Sequence, residues 1–410
     1  MVSLVEPVLY PLLGAASIIM VSIVLRGRER IYVVLSALSI GFSLYSLYQL
    51  SLQLPQSYIL NGFAPPLGVE LYADMFSIFM ACLFCSLGLL ASIYSTKYMS
   101  VDDGLEKFYS LLLMLVAGMT GVVLSGDLFT LFVFWELMCV SSYALVAFRK
   151  YRWEPIEAGF KYLVMSTIGS LIALYGISLL YGMTGTLNIH AVMAGMPMVW
   201  TPQGYFALAM IFAGFAVTGA VVPFHSWLPD AHPAAPSPVS ALLSGVVIKV
   251  GIYAIFRILF TIFNPGLYNF GIILIIFGAI SITVANIMVL PQRDIKRFLA
   301  FSSITNVGFI LLAGGVAAYI MLFHPSSMPV AYMAMAGAIF HVLNHAVGKS
   351  LLFLASGNFI HEAKTRDLKE LEGIGRKMPY TGVSFSLGLL SLAGVPPLGG
   401  FWSKFLIILA

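Results

Sequence analysis

Apolar segments of roughly twenty residues recur along the whole chain, and each is long enough to cross a hydrocarbon core of about 30 Å as an α-helix. Hydrophobic residues make up 60% of the 410 residues and charged residues only 9%, with a mean hydropathy of +0.97. Within lipid, a helix satisfies the backbone amides of its own segment. The sequence therefore predicts an all-α, polytopic membrane protein with no soluble catalytic domain.

About twelve membrane spans are predicted from the hydropathy pattern. No Lys or Arg precedes the first span and no small-residue cleavage site follows it, so a removable signal peptide is not expected. The spans lie near residues 4–25, 31–52, 72–96, 108–125, 127–148, 156–182, 205–222, 239–263, 268–290, 297–320, 331–358 and from 380 to the end.

The basic residues between the spans are distributed on one side. The loops around 53–71, 183–204, 264–267 and 321–330 contain neither Lys nor Arg. By the positive-inside rule, this asymmetry predicts a protein of the cell (inner) membrane with its N-terminus outside. The loops that should then be cytoplasmic contain Arg26, Arg28, Arg30, Lys97, Lys107, Arg149, Lys150, Arg152, Arg293, Lys296, Arg297, Lys364, Arg366, Lys369, Arg376 and Lys377.

Several charged residues fall within predicted spans, where a charge at mid-bilayer costs about 2.5–3.5 kcal/mol on insertion scales. They are Glu136, Lys161, Lys249, Arg257, Lys349 and Lys404. An i,i+4 ion pair with Glu157, or snorkelling, explains Lys161 as well as transport does. For Arg257, interfacial anchoring is the alternative to a transport role. Glu136 and Lys249 lie deep in their spans, which favours a function in transport.

His341, His345 and Lys349 are spaced four residues apart and therefore lie along one stripe of a helix. Two histidines at this spacing can bind a metal, but no third ligand is evident nearby in the sequence. A run of titratable groups along one membrane helix favours a proton relay, because the unperturbed pKa of histidine lies near neutrality. Packed core histidines are the alternative, with more weight for His341 than for His345.

The cysteines give no indication of a redox centre. Cys82 and Cys85 form a C-x-x-C pair, but the sequence contains no second pair that would complete a metal or iron–sulfur site. Together with Cys139 they are interpreted as helix-packing residues. No glycine-rich phosphate loop follows a strand. The sequence therefore predicts no cofactor, no metal and no nucleic-acid partner.

Two predicted helices are interrupted by prolines, the first at Pro223 and Pro229 and the second at Pro396 and Pro397. A proline removes a backbone amide and clashes with the preceding turn, so both breaks free carbonyl groups within the membrane. The breaks lie five spans apart, which predicts two inverted five-helix repeats with discontinuous helices, as in many secondary transporters. The predicted organisation is an N-terminal three-helix segment, a first repeat and an incomplete second repeat of four helices, at 1–100, 108–263 and 268–410.

Five segments of the chain have recognisable sequences: Phe-Trp-Glu-Leu-Met at 134–138, the Trp-Leu-Pro-Asp-Ala-His core within 225–238, Asp-Ile-Lys-Arg at 294–297, His345 to Lys349, and Gly399 to Lys404. Together they resemble the antiporter-like subunits of respiratory complex I, Mrp-type Na⁺/H⁺ antiporters and energy-converting membrane-bound hydrogenases. The resemblance covers nearly the whole chain in the same order and is specific for the superfamily. It does not distinguish among these complexes.

The resemblance implies two half-channels joined at mid-membrane by buried charges and water. Glu136 resembles the family's glutamate on the fifth spanning helix, and Lys249 the basic residue on the eighth. His345 and Lys349 match the pair on the eleventh helix, and Lys404 matches the lysine of the broken twelfth helix. These residues, with His341, are therefore the expected ion-translocation residues.

Two departures from the family pattern affect this expectation. Thr218 stands five residues before Pro223, where family members usually carry a lysine that pairs with the glutamate. Glu136 is then protonated, or it pairs with Lys249, or the first half-channel is incomplete. Family members also continue beyond the twelfth helix, so we expect another polypeptide or further residues to supply at least one helix against the 380–410 segment.

The sequence and this resemblance predict a non-redox, ion-translocating subunit of a redox-driven membrane complex, such as a complex I-like or hydrogenase-type assembly. The expected partners are membrane lipid, the other membrane subunits of the complex, and H⁺, with Na⁺ as the alternative exchanged ion. One alternative is that the chain belongs to a stand-alone Mrp-type Na⁺/H⁺ antiporter. A structural membrane subunit that has lost conduction is the other, and Thr218 is the feature that favours it.

Overall fold

The computed structural model describes residues 3–24, 29–63, 68–196 and 201–410. Arg26 and Arg28, which the sequence analysis assigned to a cytoplasmic loop, lie outside the described residues, as do parts of the loops around 53–71 and 183–204. The chain divides into two compact units, Met1–Met196 and Pro197–Ala410. The predicted division into two inverted repeats remains a prediction.

The first unit contains helices long and apolar enough to cross a membrane, together with a short helix α7 and a two-stranded antiparallel hairpin. In the hairpin, Gln56 of β1 lies opposite Ala73 of β2. The elements are α1 Glu6–Val24, α2 Arg30–Ser51, β1 Gln56–Ile59, β2 Glu70–Ala73, α3 Met75–Tyr98, α4 Leu105–Leu124, α5 Leu128–Val146, α6 Trp153–Thr184 and α7 Ile189–Gly195.

Helix α4 forms the core of the first unit, where it packs against α1, α3 and α5. Gly118 allows the close approach of α5, because a Cβ at this position would lie 2.6 Å from the backbone nitrogen of Met138. Helix α5 begins where Asp127 caps it: the Asp127 carboxylate accepts a hydrogen bond of 2.7 Å from the Thr130 amide. This cap fixes the start of the helix that carries Glu136.

The second unit contains longer helices and the interrupted ones. A π-helical turn, Leu243–Val247, separates α10 from α11, and together they form one continuous helical segment. The elements are α8 Pro202–Thr218, α9 Leu228–Ala234, α10 Ser237–Leu242, α11 Ile248–Thr261, α12 Phe270–Val289, α13 Ile295–Phe323, α14 Met328–Ala363, α15 Ile374–Lys377, α16 Pro379–Ala393 and α17 Gly399–Leu409.

Both predicted helix breaks are confirmed. Helix α8 ends at Thr218, before Pro223, so the seventh predicted span ends earlier than expected. Pro229 lies in the first turn of α9, where its missing amide removes no hydrogen bond. The twelfth predicted span is divided into α16 and α17 by a segment that contains Pro396 and Pro397.

In the described part of the chain, ten helical segments meet the length and hydropathy of a membrane span. Of the twelve predicted spans, the seventh and the twelfth correspond to the shorter helices at the breaks. The prediction of an all-α, polytopic membrane protein is therefore confirmed, and this is a multi-pass membrane protein. In the second unit, α13 packs between α12 and α14. Gly278 permits this, because a Cβ there would lie 2.8 Å from the Gly308 carbonyl oxygen.

Candidate ion-translocation site

Four basic side chains of the predicted site are completely buried in the second unit. The segment 237–261, which carries Lys249, is buried along its whole apolar stretch, so this lysine is shielded from lipid by protein on all sides. Lys404, on α17, is only partly buried. The fully buried residues are Lys249, His341, His345 and Lys349.

Helix α14 places His341, His345 and Lys349 on one buried stripe, as their spacing predicts. The two imidazole rings are nearly parallel, with an interplanar angle of 5° and ring centroids 6.2 Å apart. Neither ring nitrogen of His345 has a hydrogen-bond partner among the described residues. His345 is therefore the member of this stripe with both ring nitrogens open to exchange.

His341 is held at both ring nitrogens. Its Nδ1 lies 2.9 Å from the hydroxyl oxygen of Ser403 on α17, and its Nε2 lies 3.0 Å from Oδ1 of Asn306 on α13. Both partner side chains are buried. Since neither nitrogen is free, this arrangement does not suit the metal-binding alternative for the two histidines.

Each lysine of the site donates to a main-chain carbonyl oxygen. Lys249 reaches the carbonyl of Ser244, within the π-helical turn that precedes α11. Lys349 donates to the Leu299 carbonyl at 2.8 Å. The π-helical turn widens the helix and leaves the Ser244 carbonyl accessible to the side chain, a feature often found at functional sites.

Lys404 lies at the second break. Its ammonium donates to the carbonyl of Leu392, at the end of α16, over 2.6 Å, and lies 5.0 Å from the centroid of the Phe309 ring. Asn344 of α14 donates to the Gly399 carbonyl at 2.9 Å. Lys404 thus satisfies a carbonyl at the C-terminal end of α16, where carbonyls lack intrahelical partners, and the break places a cation beside it.

The first break is held in the same way. The Trp227 indole donates to the Val217 carbonyl at 2.7 Å, and Lys296 donates to the Ala235 carbonyl at 2.7 Å. The predicted span boundaries placed Lys296 in a loop, but it lies in the first turn of α13 and is 3% exposed. The Asp-Ile-Lys-Arg segment at 294–297 was the signal that could have identified this residue, whereas its carbonyl partner depends on the position of the break.

His232, on α9, is a buried titratable residue that sequence reasoning did not select. Neither of its ring nitrogens has a partner among the described residues, and the ring stacks on Phe353 with centroids 4.4 Å apart. Its carbonyl accepts a hydrogen bond of 2.9 Å from Ser240. It lies within the Trp-Leu-Pro-Asp-Ala-His segment, which was the signal that could have identified it.

In the first unit, Glu136 lies half-buried on α5, and its Oε1 is buried without a hydrogen-bond partner among the described residues.

Lys161 forms the i,i+4 ion pair with Glu157, 2.8 Å long, and both side chains are about half exposed. In the second unit, Arg257 donates to the Tyr253 hydroxyl at 2.9 Å. Lys161 thus has the surface ion pair that its spacing predicted as an alternative.

The charged groups that act on the buried bases are themselves basic: Lys349 acts on Lys249, and Lys404 acts on both Lys349 and His341. Like charges in a buried site repel one another. A proton that binds one member therefore opposes a proton on the next.

A family model described as "NADH:quinone oxidoreductase/Mrp antiporter, TM" matches residues 125–410, which is more than half of the chain. The chain belongs to this family. A second model, described as "NADH-Ubiquinone oxidoreductase (complex I), chain 5 N-terminus", matches residues 64–109. The resemblance inferred from the sequence motifs is therefore confirmed.

Relatives from this family include both redox enzymes and antiporters. The chain is 35% identical to NADH-quinone oxidoreductase subunit N of Desulforudis audaxviator, over 87% of this chain and 69% of that protein. It is 36% identical to a Na⁺/H⁺ antiporter component of Alkalihalophilus pseudofirmus, over 83% of this chain. The chain spans only 43% of the length of this second relative.

A solved structure has a similar fold. A chain of the membrane-bound sulfane sulfur reductase, an archaeal respiratory membrane complex, matches with a TM-score of 0.87 and 30% sequence identity. The match covers 99% of this chain and 82% of that chain. The broken helices and the buried stripe on α14 therefore belong to a fold that occurs in a multisubunit membrane complex.

Proposed function

We propose that this chain is an ion-translocating, non-redox subunit of a redox-driven membrane complex. The observation that carries the proposal is a series of bases in the second unit, four of them fully buried and Lys404 partly buried. It is hereafter called the base series: Lys249, His341, His345, Lys349 and Lys404. Buried ionisable groups in a membrane protein are expensive and mark ion or proton pathways. The redox relative and the respiratory structural relative support a redox-driven assembly.

The lysines of the base series have the bonding that proton transfer requires. Each donates to a neutral main-chain carbonyl, and a carboxylate partner would instead stabilise the ammonium form. Each lysine can therefore lose a proton without leaving a buried carboxylate unpaired. His345, with both ring nitrogens unbonded, stands between Lys349 and His341 along α14 and carries protons between them.

The chemistry of the base series favours H⁺ as the translocated ion. Its members are nitrogen bases, whereas hard cations are held by carboxylate, carbonyl and water oxygens. Na⁺ is a hard cation and would need oxygen ligands of this kind. Na⁺ exchange remains the second candidate function, favoured by the identity with a component of a Na⁺/H⁺ antiporter.

Glu136 is proposed as the acidic translocation residue of the first unit. Its Oε1 is buried without a partner among the described residues, as suits a carboxyl group that exchanges protons through water. Thr218, a buried residue at the end of α8, stands where the family lysine is expected. An incomplete first half-channel would leave the base series as the conducting part, and a structural subunit without conduction is the remaining alternative.

We also propose the cell inner membrane as the location, with the N-terminus outside, on the asymmetry of the basic loops. A neighbouring subunit is proposed to cover α16 and α17. The apolar side chains there are exposed, with Trp402 at 50% and Ile408 at 76%, beside the partly buried Lys404. A helix packed on this face would complete the burial of the Lys404 ammonium. Without such a helix, the ammonium would face lipid, where a charged group is costly.

Redox-driven pumping in membrane vesicles of the intact complex tests this function. Lys349→Met and Lys404→Met keep the apolar length of the side chain but remove the proton site. We expect assembled complexes whose H⁺ pumping is reduced by about tenfold or more, as follows from the loss of one required proton carrier. Lys161→Met, which removes a half-exposed ion-paired lysine, is the matched control and should pump normally.

The same vesicles separate the alternatives. Pumping that stops in Na⁺-free buffer and returns when Na⁺ is added would support the antiporter function. Normal pumping in both Lys349→Met and Lys404→Met would contradict the proposal and support a structural role. The proteins that co-purify in mild detergent would identify whether a redox module is attached.

A further inference from the structure

The hydrogen bonds around His341 determine which of its nitrogens carries a fixed proton. The Asn306 amide nitrogen donates to the Ser302 carbonyl at 2.7 Å. A carbonyl only accepts, so this contact orients the amide and places its oxygen toward His341. Nε2 of His341, 3.0 Å from that oxygen, must therefore be the donor and keep its hydrogen. Proton exchange at this ring is thereby restricted to Nδ1.

Nδ1 faces a hydroxyl that has two acceptors. The Ser403 oxygen lies 2.9 Å from Nδ1 and 3.1 Å from the carbonyl oxygen of Gly400. When His341 is neutral, Ser403 donates to Nδ1. When a proton binds at Nδ1, the ring donates to the Ser403 oxygen and the hydroxyl hydrogen turns to Gly400. Both protonation states are fully hydrogen-bonded without movement of any heavy atom.

We propose that Asn306 and Ser403 are positioning residues of the proton path: Asn306 fixes the hydrogen on Nε2, and Ser403 switches its hydrogen bond as Nδ1 gains or loses a proton. The inference rests on the proposed function of the base series. The proton reaches Nδ1 through the Ser403 oxygen, which takes a proton from another member of the series as it gives its own to Nδ1. It leaves by the reverse transfer, so no further reactant is needed. His341 thus exchanges protons on the side of α17, the helix of Lys404.

The switch also connects the proton on His341 to the second break. Gly400 lies in the first turn of α17, and its carbonyl receives the Ser403 hydrogen bond only when His341 is protonated. Phe309 contacts both sides of this connection: its ring lies 6.1 Å from the His341 ring and 5.0 Å from the Lys404 ammonium. The protonation state of His341 therefore determines whether the first turn of α17, which leads to Lys404, receives this hydrogen bond.

The other titratable groups that face His341 must be considered in any pH experiment. Among the described residues, they are His345 on its own helix, Lys404 on α17 and Lys249 on α11. All are bases, so none supplies a fixed negative charge at Nε2. A carboxylate placed at position 306 would add a negative charge beside Nε2 of His341. Its effect on the protonation of the ring follows from the proposed geometry.

The first test is the pumping rate of Ser403→Ala in vesicles of the intact complex. The variant leaves Nδ1 without its partner, and we expect a loss of roughly tenfold, the size of one lost charge-assisted hydrogen bond. Ser403→Thr retains the hydroxyl and should recover most of the rate. Ser356→Ala is the matched control, because Ser356 is equally buried but donates within its own helix to Phe353, and it should pump normally.

The second test is the pH profile of Asn306→Asp, a variant of the same shape. A carboxylate opposite Nε2 favours the doubly protonated ring, so His341 releases its proton only at higher pH. We expect the alkaline limb of the pumping profile to move upward by about one pH unit or more. A structural role for Asn306 would lower the rate at every pH and leave the profile unmoved.

The outcomes separate this inference from the function on which it rests. If Lys349→Met does not pump while Ser403→Ala and Asn306→Asp both behave like the Ser356→Ala control, the positioning roles are wrong and the base series stands. If Lys349→Met pumps normally, the proposed function fails first. Should Ser403→Ala fail to assemble, an unmoved Asn306→Asp profile overturns the inference and a shifted one supports it.

Discussion

At the scale of single residues, the second unit holds its buried lysines with neutral partners. A lysine in a buried ion pair is stabilised as an ammonium, and the loss of either partner leaves an uncompensated charge. Lys249, Lys349 and Lys404 donate instead to main-chain carbonyl oxygens. Their protonation can change without that penalty, which is the property required of residues that pass protons.

Glu136 in the first unit differs from the lysines of the base series because it is a carboxylate whose expected family partner is absent. Substitution of Glu136 tests the consequence of that absence. Thr218 stands where family members usually carry the lysine that pairs with the glutamate, so Glu136→Gln breaks no ion pair of that kind. We expect the variant to lose less pumping than the same substitution does in family members that keep the lysine, since no opposite charge is left uncompensated. The measurement is redox-driven H⁺ uptake by vesicles, with Glu157→Gln as a control at a half-exposed carboxylate.

The double variant Thr218→Lys with Glu136→Gln sharpens this prediction. By the resemblance to family members in which this lysine pairs with the glutamate, restoring the lysine should make the loss of the carboxylate deeper. A Glu136→Gln variant that already loses pumping completely would show that another cation has replaced the missing lysine, contrary to the expectation.

At the scale of helices, the sequence predicts where elements are interrupted but not how the interruptions are held. Pro223 and Pro396 indicate the breaks, since proline has a local and unavoidable effect on the helix. The burial of Lys296 could not be predicted, because it depends on the Ala235 carbonyl, which tertiary packing brings within reach. For the same reason, the sequence identified His341 but not its partners Asn306 and Ser403.

Asp127, which precedes α5, gives a prediction about this helix. Burial raises the pKa of its carboxyl, and its Oδ2 is buried without a hydrogen-bond partner among the described residues. Asp127→Ala removes the cap and should cost about 1 kcal/mol in the free energy of unfolding. Asp127→Asn keeps an accepting oxygen for the Thr130 amide and removes the buried charge, so it should be at least as stable as the wild type near neutral pH.

The pH dependence of stability in the wild type and in Asp127→Asn follows from the direction of the Asp127 pKa shift. Because the folded-state pKa lies above the unfolded value, wild-type stability falls as pH rises from the unfolded value to the folded one, and is level above it. Asp127→Asn lacks this fall. We therefore expect thermal unfolding in detergent between about pH 4 and pH 8 to show a pH-dependent difference. Toward pH 4, the unfolding temperature of the wild type should rise relative to that of the Asn variant. A constant difference across that range would contradict the assignment.

At the scale of the whole chain, composition and charge asymmetry suffice to predict a membrane protein and an orientation for it, but not its neighbours. The described helices differ widely in burial: the segment 237–261 is buried along its whole apolar stretch, whereas α12 is 22% buried. Helices that face lipid and helices that face another subunit expose the same apolar residues. The partners of α16 and α17 therefore could not be read from the sequence.

Orientation is the prediction that belongs to this scale, and α3 provides the test. Ser57, in β1, and Ser100, just after α3, are both exposed and are separated by one spanning helix. We expect a cysteine at position 57 to react in intact cells with an impermeant thiol reagent, and one at position 100 to react only after the membrane is opened. The native cysteines lie within spanning helices, and the unsubstituted chain measures their background. Labelling of position 100 alone in intact cells would place the N-terminus inside and reverse the side from which protons enter the base series.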